Sequence, residues 1–452
     1  KNKNSQMGEQ ALYEAYTVSR SQNQAQSFEF GEEYVASYGQ TPLVREVLLT
    51  MSQSALILSE YERGASYLGS LARLFPADPN AKSFAEQAAL IYEHVGKPIE
   101  AQAAYMMAGQ TASALRALQR YGEWRRLNEA SARAQGLMGL YFQGLSLSRL
   151  GKKNESRSLL ERAAKSPAMS PEEKEWVGHA NIMLAESELA QFRTLPNQAF
   201  SQALLQQKSA QYQKLLGYFQ NAVASGGGRW VVAGLYGQSV LNKGFADFFA
   251  RVSPPAGISP GVFRKTMAAQ SEAYVKAAQE QRAQCVGVAD TNDLPTNYAS
   301  ACLKGTLVAE SGEFADWRRR GAGRSPASAD LRLIDQLKSN PRSAPLLRQY
   351  ATQKIQQGEP TMALLLLSRA SEIEASDSQN ESFAGVAHLH LNQFPEAQAA
   401  FQRALAKNQN DSLAKRGLFG IAKYFGLQSQ IRKRQVNLGR APAGSPTHPL
   451  LQ

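Results

Sequence analysis

Two cysteines, five histidines and four tryptophans in 452 residues leave little room for several common chemistries. Two cysteines do not complete a four-ligand zinc site without histidines, and the histidines lie far from Cys285 and Cys302 in sequence. His388 and His390 are two apart on a helical stretch, so their side chains point about 200° apart and do not share a metal. His94 and His179 stand singly in helical stretches and read as exposed or groove-facing polar residues. No Gly-x-Ser-x-Gly, His-Glu-x-x-His or Cys-x-x-Cys occurs, which removes the common serine-hydrolase, zinc-peptidase and thiol-redox signatures. No apolar run approaches the roughly 18 residues that span a membrane. The expectation is a binding architecture with no enzyme activity, no cofactor and no metal. The sequence opens on Lys1 rather than methionine. That fits a targeting segment having been removed and says nothing of compartment.

Acidic residues are also short, 38 against 50 Lys and Arg, for a net charge of +12. Such a balance favours an anionic partner: an acidic protein, an envelope polyanion or peptidoglycan. The basic residues are spread along the chain rather than set in one stripe, which argues against nucleic acid.

What the sequence has in quantity is helical periodicity. From Ser378 to Asp411 it reads as two short helices around the turn Asn392-Gln393-Phe394-Pro395. Ala397, Phe401, Ala404 and Leu405 recur at i, i+4, i+7 and i+8, one buried face on a 3.6-residue period. Pro395 falls in the first turn, where a missing N–H costs little. The same grammar returns 34 residues earlier, with Ala351, Gly358, Pro360, Ala363, Leu367 and Ala370 opposite Gly385, Asn392, Phe394, Ala397, Phe401 and Ala404. A period of this length built of paired helices signals a solenoid. These residues resemble the tetratricopeptide repeat (TPR), departing from it at Gln409 and Ala375, where the family favours proline. The resemblance implies an all-α, TPR-like α-solenoid, a right-handed superhelix of helix pairs, with an irregular central helical region.

The organisation expected along the chain is as follows. Residues 1–165 carry TPR-like units of uneven length, around 48–74, 84–109, 112–134 and 140–165. Residues 166–312 are an irregular helical middle. There Ser170-Pro171-Glu172-Glu173 is an N-cap followed by proline and first-turn acids. Gly226 to Gly228 form a connector without the strand or lysine of a phosphate loop. The stretch from Arg229 to Val252 is a central buried helix whose aromatics are core. Residues 313–330 read as a basic Gly/Arg linker, 331–427 as a second TPR array, and 428–452 as a basic, proline-rich tail, disordered or ordered by a partner.

Cys285 and Cys302 flank a loop, Val286 to Ala301, which a disulfide could close; two buried free thiols are the alternative. A bridge would contribute on the order of 3 kcal/mol on the chain-entropy model and would place the protein in an oxidising compartment. The middle region, through Trp230 to Gly237, Phe245 to Phe249, Pro254-Pro255, Cys285, Asn297 and Cys302, resembles long periplasmic TPR proteins of the gliding-motility and envelope machinery of delta-proteobacteria. That resemblance implies an exported scaffold of a cell-envelope assembly. The alternatives are a peptidoglycan-associated regulator of cell-wall synthesis and a cytosolic TPR adaptor. In TPR units the first helix of each pair supplies the partner groove. This implies Arg348, Thr352 and Gln356, then Ser382, Leu389 and His390, then Arg416, Lys423 and Tyr424 as contacts for a peptide or helix of acidic character.

Overall fold

The computed structural model describes residues 6–39, 41–194, 199–307, 328–435 and 438–451. They form 22 α-helices. The first ten are α1 (Gln6–Gln22), α2 (Gln24–Tyr38), α3 (Pro42–Ile57), α4 (Tyr61–Leu74), α5 (Ala81–His94), α6 (Pro98–Met107), α7 (Thr111–Arg120), α8 (Trp124–Ser131), α9 (Gly136–Arg149) and α10 (Lys153–Ala164). Five longer or irregular ones follow: α11 (Pro171–Arg193), α12 (Gln202–Ala224), α13 (Gly228–Arg251), α14 (Pro260–Thr291) and α15 (Asn297–Lys304). The last seven are α16 (Ser328–Ser339), α17 (Ala344–Gln356), α18 (Pro360–Ile373), α19 (Ser378–His390), α20 (Phe394–Lys407), α21 (Ser412–Phe425) and α22 (Gln428–Arg434), with a 3-10 turn at Pro449–Leu451. Among the described residues there is no strand, only one bridge between Ala199 and Ser253. The fold is all-α and TPR-like, as the period implies.

Local chemistry sets the helix ends. At α11 the Ser170 hydroxyl accepts from the Glu173 N–H at 3.1 Å, and the Glu173 carboxylate accepts from the Ser170 N–H at 2.9 Å, a complete capping box. Those backbone bonds hold the Glu173 carboxyl below its ordinary pKa. The helix pairs turn on left-handed residues. Gly358 has φ 81°, and at the matching turn 34 residues on, Asn392 has φ 57°. Asparagine is the side-chain-bearing residue that tolerates this conformation best after glycine loses its place there.

The chain divides into two compact units, which cut across the spans read from the sequence. The first contains Lys1–Glu123, Asp316–Leu391 and Gly444–Pro446. In it consecutive helices from α1 to α7 pack on one another, and α4 also reaches α6. Likewise α17 pairs with α18, and α19 packs on both. Ala85, Ala88, Ala89, Ala101, Ala114 and Ala117 are all buried at the crossings, where only a methyl fits between close backbones. The two runs are sequence-distant but meet, α18 packing on α5. The Arg369 guanidinium of α18 donates to the Leu56 carbonyl at 2.6 Å, at the end of α3, and to the Pro341 carbonyl at 2.7 Å. A cation thus sits on the negative end of a helix 313 residues away in the chain.

The second unit contains Trp124–Ala315, Asn392–Ala443 and Thr447–Gln452. As expected, α13 is its central helix, with Trp230, Leu241, Phe245 and Phe248 at most 2% exposed and α11, α12, α14 and α15 packed on it. Phe245 is the hub of an aromatic cluster, its ring 4.9 Å from Tyr212 and 4.7 Å from Tyr274. Phe401 of α20 fills the space over Gly417 of α21, where an added Cβ would lie 2.3 Å from the ring.

Three expectations change. His179 is not an exposed residue: it is fully buried, hydrogen-bonded to the Tyr141 hydroxyl at 2.8 Å and stacked on Trp230 at 4.2 Å. Cys285 is not at a loop edge. It lies inside α14, which continues to Thr291 because Cys285 and Ala289 extend the seam of buried residues at four-residue spacing. The tail is not disordered over its described part. There α22 packs on α14 and α21, while Leu451 is buried and the Leu450 carbonyl lies against Gly420, a contact only glycine admits. The expected linker at 313–330 lies outside the described residues up to Ala327.

Arg369→Ala is expected to cost about 1.5–3 kcal/mol, because it strands charge-assisted bonds to helix-end carbonyls. An unchanged urea midpoint would count against the clasp. Gly358→Ala, which meets no atom within 4 Å, is expected to cost about 1 kcal/mol through backbone strain alone, whereas Asn392→Gly should lose nothing. Paired thermal melts read both.

Candidate functional site

The residues implied as a partner groove divide between the two units. On α17, Arg348 is 12% exposed and bound on several sides. It meets Asp377 at 2.5 Å, Glu374 at 3.2 Å and Asn380 at 3.1 Å. Asp377 is also the N-cap of α19, accepting from the Gln379 N–H at 2.9 Å. Arg348 therefore joins α17 to the start of α19 and is tied into the structure rather than presented on an open face. Thr352, Ser382 and Leu389 are buried, at 7%, 1% and 0% exposure, which removes them from any open face. The Thr352 hydroxyl donates back to the Arg348 carbonyl at 3.0 Å. Gln356 is exposed and His390 half-buried. The period placed these positions on one helical face without telling which side of α17 and α19 would be covered.

Arg416, Lys423 and Tyr424 stand differently. All three are on α21, in the second unit. Asp411 caps this helix, accepting from the Ala414 N–H at 2.9 Å, and Gly426 ends it in the left-handed region. Leu413, Ala414, Gly417, Leu418, Ile421, Ala422 and Phe425 form the buried face. Ser412, Arg416, Phe419 and Lys423 then recur at four, three and four residues along the opposite face, with Lys415 beside them. Tyr424 is 49% exposed and its ring stacks on Phe394 of α20 at 5.6 Å. Next along the chain, α22 presents Arg432 and Lys433 to solvent. The exposed Arg440 lies near the start of α21, its carbonyl accepting from the Ser412 hydroxyl at 2.6 Å.

The segment holding this face is strongly biased in charge. From Ala397 to Gln452 there are nine basic residues and one acid, Asp411, so the segment carries a net +8 of the chain's +12. The basic residues that looked evenly spread along the whole chain are concentrated here relative to acids. A segment-by-segment charge count carries that signal.

Elsewhere several cations are matched. Arg45 pairs with Asp78, Arg120 with the buried Glu93, Lys214 with Glu188 at 2.9 Å, and Lys354 with Glu359 at 3.1 Å. The acids nearest α22 are also consumed. Both Asp290 oxygens accept from the Ser429 N–H, at 3.1 and 3.0 Å, which caps α22 from α14. Asp293 pairs with Arg434, which also donates to the Leu418 carbonyl at 3.1 Å. Among the described residues, Lys415, Arg416, Lys423, Arg432, Lys433 and Arg440 form no ion pair, and the Arg416 Nε is buried without an acceptor.

Cys285 and Cys302 are joined in a disulfide between α14 and α15, both at most 2% exposed. Arg282 donates to the Cys302 and Leu303 carbonyls at the end of α15. This corner carries the Asp290–Asp293 segment that holds α22, so the bridge bears on how the cationic face is presented. No group of three or more His, Cys, Asp and Glu able to hold a metal occurs among the described residues, and no described helix is long and apolar enough to cross a membrane.

No family model and no curated protein matches the chain. Solved structures with some similarity include Naa15/Naa10 bound to HypK-THB (TM-score 0.28, 12% identity, 97% of this chain and 69% of that one). They also include yeast Tom70 (0.22, 10%, 96% and 92%) and the APC/C hetero-tetramer Cut9-Hcn1 (0.22, 14%, 90% and 80%). Scores this low fall well short of a shared global architecture, and the fold rests on the helix pairing of this chain itself.

The contrast between held and unheld cations gives a direct test. Lys423→Glu and Lys433→Glu should each shift stability by no more than about 0.5 kcal/mol, as exposed substitutions do. Arg348→Ala should cost about 1.5–3 kcal/mol through lost charge-assisted bonds. Equal effects in chemical denaturation would mean that the α21–α22 cations have structural partners.

Proposed function

We propose that this chain is a non-enzymatic scaffold that holds partner proteins, with the α21–α22 face as its principal contact surface, and that it works in the periplasm as part of a cell-envelope assembly of the gliding-motility type. One observation carries the binding role: from Ala397 to Gln452 nine basic residues stand against one acid, and six of those cations form no ion pair among the described residues. Stacked helix pairs supply the rigid frame such a role needs, since each pair presents its outer face while burying its alanine crossings. A buried disulfide supports export, because such bonds persist in oxidising compartments and are rare in the cytosol. The resemblance of the middle region to envelope proteins of gliding bacteria supports the assembly.

A second reading draws on the same charge. A peptidoglycan-associated regulator would use the cationic face on anionic wall polymer, and a cytosolic adaptor would use it on protein without a bridge between Cys285 and Cys302.

Photo-crosslinking from position 423 in the producing cell is expected to capture an envelope protein, with no free thiol on the unreduced protein. Two free thiols would remove the periplasmic placement. Sedimentation with purified sacculi and no protein cross-link would favour the wall-binding regulator.

A further inference from the structure

The face on α21 and α22 has a chemistry specific enough to name its ligand. Arg416 and Lys423 are seven residues apart on one helix, so their bases lie about 10.5 Å apart along the axis. Phe419 lies between them on the same face, half-buried. Lys423 is next to the Tyr424–Phe394 stack, whose Tyr424 ring is 49% exposed. Beyond it Arg432 and Lys433 continue the positive charge. The pattern is therefore cation, aromatic, cation along two helical turns, with the exposed Tyr424 ring about 100° round the helix and two more cations on the next helix.

We propose that this face binds an acidic amphipathic helix of a partner protein, with carboxylates seven residues apart opposite Arg416 and Lys423 and an apolar side chain between them against Phe419. The proposal rests on reading this surface as a partner-binding one and supplies the partner's chemistry. A helix lying alongside α21 repeats its carboxylates at the same two-turn spacing as the cations, and each pair forms a charge-assisted hydrogen bond. The aromatic position gives such a helix an apolar contact that salt does not screen, whereas ion pairs between exposed groups weaken as the Debye length shortens. A flexible polyanion gains from the charge but has no use for Phe419 between the cations. Its binding would fall steeply with salt, by a slope that follows the number of charges neutralised.

The test is fluorescence anisotropy on the full chain. The probes are a labelled helical peptide with Glu at i and i+7 and Leu at i+3 and i+4, a scrambled peptide of the same composition, and a single-stranded oligonucleotide. The ordered peptide is expected to bind at least about tenfold more tightly than the scrambled one, and to keep part of its affinity at high salt. Lys423→Glu with Lys433→Glu, both at exposed positions, should weaken it by about tenfold or more with an unchanged circular dichroism spectrum. Phe419→Ser should weaken the part that survives high salt. Equal binding of ordered and scrambled peptides, tighter binding of the oligonucleotide, or indifference to the double charge reversal would overturn the proposal. Failure of the peptide alongside protein capture from position 423 would overturn the ligand chemistry and leave the scaffold standing. Failure of both would end the scaffold reading as well.

Discussion

The structure depends on how helix ends are satisfied across long stretches of chain. A helix leaves its last carbonyls and its first N–H groups without intrahelical partners. Here two of those debts are met from far away. Arg369 supplies a cation to the end of α3, 313 residues earlier. Asp290 supplies an anion to the start of α22, 139 residues later. In each unit, sequence-distant runs are locked by a charged side chain seated on a helix terminus of opposite sign. Alanine-lined crossings then pack with backbones close together, and Phe401 over Gly417 shows the same logic with a large residue set against none.

These long-range bonds also decide which charges are left without acids. Asp290 and Asp293 would otherwise neutralise the C-terminal helices. Asp290 spends both oxygens on backbone N–H groups and Asp293 is taken by Arg434. Arg432 and Lys433, two and one residues before Arg434, stay exposed on the same short helix. The disulfide between Cys285 and Cys302 braces the segment that carries both acids. Structure and the proposed binding chemistry therefore share one corner of the second unit: what holds α22 in place also leaves its cations unmatched.

The helix-pair period was legible because it is local. Small residues at 351, 363, 370, 385, 397 and 404, with Gly358 and Asn392 at the turns, mark where helices cross and stop. The cap at Ser170 and the burial of α13 were legible for the same reason, since capping and all-round hydrophobicity are written within a few turns. The groove was legible only in part. Lys423 and Tyr424 are exposed as expected, but Arg348 is held by three partners and Leu389 has no exposed surface. A repeat pattern tells which positions share a helical face; whether that face is covered depends on neighbours the pattern does not contain. His179 went the same way, since its partners Tyr141 and Trp230 come from two other helices.

By itself the sequence determined the all-helical class, the pairing of neighbouring helices, their caps and turns, and the excess of positive charge. Each follows from residue types within one or two helical turns, where geometry is fixed by the 3.6-residue repeat. The tertiary structure alone decided that α18 meets α5, that α14 caps α22, and which cations find acids. Those outcomes turn on contacts between segments more than a hundred residues apart, and no local spacing encodes them.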